Sequence, residues 1–100
     1  MTNNDIFRRL RYIFDFNDSK MIELFRLADY HTNRAEVSDW LKKEDDEAFQ
    51  ELEDENLAIF LNGLINAKRG KREGPQPKPE KFLDNNIILR KLKIALNLRE

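Results

Sequence analysis

Two stretches of the sequence read alike at a distance of 82 residues: NNDIFRRLRYIFDF over 3–16 and NNIILRKLKIALNL over 85–98. Asn3/Asn85, Asn4/Asn86, Ile6/Ile88, Arg8/Arg90 and Leu10/Leu92 are identical, and most other positions keep their chemical type. Repetition constrains a fold strongly, because a repeated segment is expected to be a repeated structural element. With 18 positions after residue 82, the pattern predicts one complete unit followed by the first helix of another. Between them, GKREGPQPKPEK at 70–81 holds two of the three glycines and all three prolines. Alternating proline favours extended backbone and forbids helix. The predicted organisation is a helical domain over 1–69, a Gly/Pro-rich linker over 70–81, and a helix within 82–100.

The remaining segments carry the 3.6-residue period of amphipathic helices. Over 4–16, Ile6, Leu10, Ile13 and Phe14 form a stripe with Phe7 beside it, capped by Asn3 or Asn4. Over 19–30, Met21, Leu24, Phe25 and Ala28 follow the same rule after an Asn17-Asp18-Ser19 break. Asn33 and Glu36 form a capping-box pattern opening a helix over 34–43, with Val37, Trp40 and Leu41 inward. The charged stretch 44–53 reads as a loop with a short helical turn, pinned by Phe49. Asp54 is expected to cap the strongest helix, 55–69, on Leu57, Phe60, Leu61, Leu64 and Ile65, with Gly70 ending it. No segment alternates with period two long enough for a strand. The fold class is therefore all-α, a compact bundle of about four helices plus a fifth after the linker.

Several function classes fall away on composition. There is no Cys, so no disulfide framework or thiolate site. Eighteen basic residues against 19 acidic give a net charge of −1, which disfavours a non-specific polyelectrolyte binder. The longest apolar run is Leu57–Leu61, far short of the ~20 residues of a membrane helix. The N-terminus lacks the basic and apolar regions of a secretory signal, so a cytoplasmic protein with no membrane partner is expected.

The blocks WLKKEDDEAF at 40–49 and FLNGLINAKRGK at 60–71, with the Asn85-Asn86 helix start, resemble the YehS-like bacterial family of unknown function. The resemblance covers essentially the whole chain. Members of that family carry two copies of a unit of this size, so the resemblance implies a small helical domain with a partial second copy. It brings no activity, cofactor or catalytic residue with it.

No catalytic constellation emerges from the residues themselves. His31 is the single histidine, and it falls in a turn. Nine carboxylates between Asp39 and Glu55 lack the alternation and mid-loop Gly of a Ca²⁺ loop. They read as a solvated acidic loop, with a protein-partner surface as the rival. Residues 21–43 also admit a helix-turn-helix, but its turn has no Gly and acidic residues crowd the second helix. Trp40 reads as a core anchor. Asn62-Gly63 inside the best helix points to a close backbone approach. No cofactor is expected, and an enzyme is the weakest class.

The leading expectation is a non-enzymatic protein-interaction domain. The fifth helix must cover its stripe of Ile88, Leu92, Ala95 and Leu96, and a homodimer through residues 82–100 is the favoured way. The alternative is a nucleic-acid-binding module on Arg8, Arg9, Arg11, Lys68, Arg69, Lys71, Arg72, Arg90, Lys91 and Lys93, if these converge on one surface.

Overall fold

The computed structural model describes residues 1–70 and 76–96. Five helices follow in order: α1 Asn3–Phe14, α2 Asp18–Leu27, α3 Arg34–Leu41, α4 Asp54–Arg69 and α5 Asn85–Leu96. Among the described residues there is no strand, and no helix is long and apolar enough to cross a membrane. The expected helices are present, each ending within a few residues of its predicted bounds. The segment 44–53 forms turns only, and Phe49 is half-buried there.

Capping follows the local chemistry with two corrections. Asn17 and Asn33 cap α2 and α3 through bonds from the Lys20 and Glu36 N–H groups. Thr2, not Asn3 or Asn4, caps α1, in a box closed by Asp5. Glu53 precedes α4 without a side-chain cap, and Asp54 is its first residue. Displaced from capping, Asn3, Asn4 and Asp54 are free to hold other parts of the chain.

The core is aromatic. Phe7, Phe25, Trp40 and Phe60 come one from each of α1 to α4. Ring centroids lie 4.9 Å apart for Phe7–Phe60 and 5.4 Å for Phe25–Trp40 and Phe25–Phe60. Edge and tilted contacts of this kind add about 0.5–1.5 kcal/mol each beyond area burial. Phe7, expected beside the α1 stripe, is fully buried at its centre. Ile13, expected inward, is 69% exposed. The helix stops at Phe14, where Asp15 takes a left-handed conformation, and no described element covers Ile13.

α4 is the hub, touching α1, α2 and α5. The stripe read from the sequence accounts for only one of its sides. Ala58 and Ile59 are buried as well: Ile59 lies on the side of Gly63 and Asn66, which face α2, and Ala58 on the side of Asn62, along which α5 folds back. Ile88 and Ala95 of α5 are buried, Leu92 is half-buried, and Leu96 is partly exposed. The stripe that prompted the dimer expectation thus finds most of its cover within its own chain.

The buried Asn4 amide fixes the loop before α4. Its Nδ2 donates to the carbonyls of Trp40 and Gln50 at 3.0 and 2.8 Å, and its Oδ1 accepts from the Leu52 N–H at 3.0 Å. Leu52 is buried and takes the anchoring role expected of Phe49. Asn3 Nδ2 donates to the Leu52 carbonyl and, at 2.6 Å, to Asp54 Oδ1. Asp54 Oδ2 accepts the Leu83 N–H at 2.8 Å, tying the approach to α5 back to α4.

The Asn3 amide first, and then the Leu83 N–H, hold the Asp54 carboxyl below its ordinary 3.8. A carboxylate depressed by folding stabilises the native state above the unfolded value, and that stability fades as pH falls toward the folded one. Urea midpoints should therefore drop as the pH is lowered from about 5 to about 3. Asp54→Asn should flatten that part of the drop. An Asp54→Asn profile parallel to the parent would remove this carboxylate from the account.

Candidate interaction face

The outward side of α1 carries exposed apolar side chains beside charged ones. Met1, Asp5, Arg8, Arg9, Tyr12 and Ile13 line a shallow groove there. Positions 5, 8, 9 and 12 share a face because residues three and four apart are neighbours on a helix. Tyr12 is 86% exposed. Asp5 accepts the Thr2 N–H and pairs with Arg8. The Thr2 backbone bond first, then the Thr2 hydroxyl, Arg8 and the chain's ammonium group, lower its pKa against a desolvation that opposes them. Arg8 also donates to the Lys42 carbonyl at 2.8 Å, so its guanidinium is fixed against α3. Arg9 stays exposed in the middle of the groove.

Several of the expected basic residues have partners of their own. Arg8 faces Asp5, and Arg11 lies 3.6 Å from Asp18. Lys68 sits 5.6 Å over the Phe14 ring, and Arg69 donates to the Ile94 carbonyl at 3.3 Å. Lys91 pairs with Glu80 at 3.0 Å and donates to Asn62 Oδ1 at 2.6 Å. Lys93 is half-buried, and Arg90 is exposed. Lys71 and Arg72 lie outside the described residues. The described members lie on three helices, α1, α4 and α5.

Other candidates resolve into structural roles. Trp40 is in the core, and His31 is exposed in the connection between α2 and α3. Asp39 accepts from Lys42 Nζ at 2.8 Å, and this bond raises the Lys42 pKa. Among the described residues no group of three or more His, Asp or Glu side chains is placed to hold a metal ion. Gly63 lies against the main chain of Leu24 in α2. Asn66 is buried, donating to the Leu27 carbonyl at 2.8 Å, and sequence reasoning missed it. The repeated Asn-Asn dipeptide was the one available signal for Asn4, although a capping role hid its buried one.

Residues 3–70 match a family described as a protein of unknown function, DUF1456. The chain is 43% identical over 100 residues, 99% of its length, to the uncharacterised protein YehS of Escherichia coli strain K12. It spans 64% of the length of that relative. No solved structure matches the chain.

Proposed function

We propose, for a chain that belongs to the DUF1456 family of proteins of unknown function, a non-enzymatic role in binding protein through the outward face of α1. The observation that carries this reading is the grouping of exposed Met1, Tyr12 and Ile13 around Arg9. An exposed apolar cluster rimmed by charge is the usual make-up of a protein contact. Tyr and Arg are also the side chains that most often anchor one. The rival, a nucleic-acid module, loses support from Arg8, Arg11 and Lys91, whose charges face Asp5, Asp18 and Glu80.

A photo-crosslinking side chain placed at Tyr12 in cells tests the reading. The expected result is a discrete protein adduct that disappears with Arg9→Glu or Ile13→Asp. No adduct, or one indifferent to both changes, defeats it. A shift of duplex or single-stranded nucleic acid with a steep salt dependence would instead favour the rival.

A further inference from the structure

α1 and α5 are related by more than sequence. Adding 82 to the first residue of α1 gives the first residue of α5. The cap sits at the same place in both: Thr2 Oγ1 accepts the Asp5 N–H, and Asp84 Oδ1 accepts the Ile87 N–H. The Ile6 and Ile88 N–H groups donate to the Thr2 and Asp84 carbonyls at 3.1 Å each. The two helices nevertheless bury different sides. α1 turns Asn4, Phe7 and Leu10 into the core, whereas the matching Asn86 and Leu89 of α5 are exposed and Leu92 is half-buried. α5 packs on α4 through Ile88, Lys91 and Ala95, and Ala95 is 4% exposed. The matching residues of α1 are Ile6, half-buried against its own core at the edge of this face, and Arg9 and Ile13, exposed on the outward face.

We propose that this α1 face docks on the flank of α4 that carries Ala58 and Asn62, in a second copy of this chain. The occupant is identified by what the chain already does: a helix of similar sequence, in the same register, sits on that flank as α5. Ile6 is identical to Ile88 and Arg9 keeps the charge of Lys91, so Arg9 can reach the second copy's Asn62 amide as Lys91 does here. Each copy offers one α1 face and one α4 flank, so two copies exchanging both close with two-fold symmetry and leave no open end. α5 fills the flank in the single chain and so acts as a plug that must move before copies pair. The proposal rests on the reading of the α1 face as a protein-docking surface and names its partner.

The test keeps the full chain and loosens the plug. Ile88→Asp with Ala95→Asp puts carboxylates into the α4–α5 seam. Light scattering should give a single-copy mass for the parent chain and a doubled mass for the double variant. Adding Ile13→Asp should return it to the single mass. Near-UV circular dichroism from Trp40 reports whether the α1–α4 core stays intact, and if it does not, Ala95→Asp alone is read the same way. An intact core with a single-copy mass overturns the proposal, as does a doubled mass that survives Ile13→Asp. A Tyr12 adduct with other proteins alongside a single-copy double variant would spare the docking reading while removing this one. Loss of both adduct and doubled mass removes both.

Discussion

Gly63→Ala should cost this protein more than about 3 kcal/mol, beyond the usual range for an added methyl in a packed core. Alanine in place of glycine inside a helix normally stabilises by about 1 kcal/mol, so the expected sign is the reverse of the propensity rule. The reason is contact with main chain. A Cβ at position 63 would stand 1.7 Å from the Leu24 carbonyl oxygen and 2.6 Å from its carbonyl carbon. Neither atom can rotate away as a side-chain tip could, so α2 and α4 would have to separate. Separation would loosen Phe25 from Phe60, the ring pair that joins those helices. For a domain of this size a loss of 3 kcal/mol lowers Tm by about 15 °C. Urea unfolding followed by Trp40 fluorescence measures it. A gain in stability would show that the two helices do not approach this closely.

Asn4→Ala should be the second large loss, about 3 kcal/mol, while Asn86→Ala should change stability by less than about 0.5 kcal/mol. The dipeptides are identical, yet their surroundings differ. Asn4 satisfies two carbonyls and one N–H within the fold, and its removal strands the Trp40 carbonyl and the Leu52 N–H in buried surroundings. Each such group left unpaired costs about 1–3 kcal/mol. Asn86 is exposed and water replaces whatever it makes. Amide exchange gives an independent reading, since the Leu52 N–H should lose protection in Asn4→Ala and keep it in Asn86→Ala. Equal effects from the two substitutions would mean that Asn4 is not a structural pin.

The contrast shows where sequence reasoning succeeds and where it stops. Period and caps placed all five helices, because Leu57, Phe60, Leu61 and Leu64 or Asn17 and Asn33 act within a few residues of themselves. One stripe per helix is what periodicity can report. It therefore missed the second buried side of α4, created by a helix that returns after the linker. It put Ile13 inward because the spacing allowed it, although nothing among the described residues packs there. The charged loop hid Leu52 for a similar reason, its anchor being the side chain of Asn4, 48 residues away. Basic side chains on α1, α4 and α5 were visible one by one. Whether they share a surface depends on packing angles and on partners such as Asp18 and Glu80, which no local pattern encodes.

The order of elements along the chain has a temporal consequence. Residues 54–69 emerge from the ribosome before 85–96, and synthesis at roughly 5–20 residues per second separates them by about a few seconds. Throughout that interval the Asn62 side of the nascent hub is bare, among sister chains growing on the same message. During synthesis, then, that side of α4 is open without α5 having to leave it.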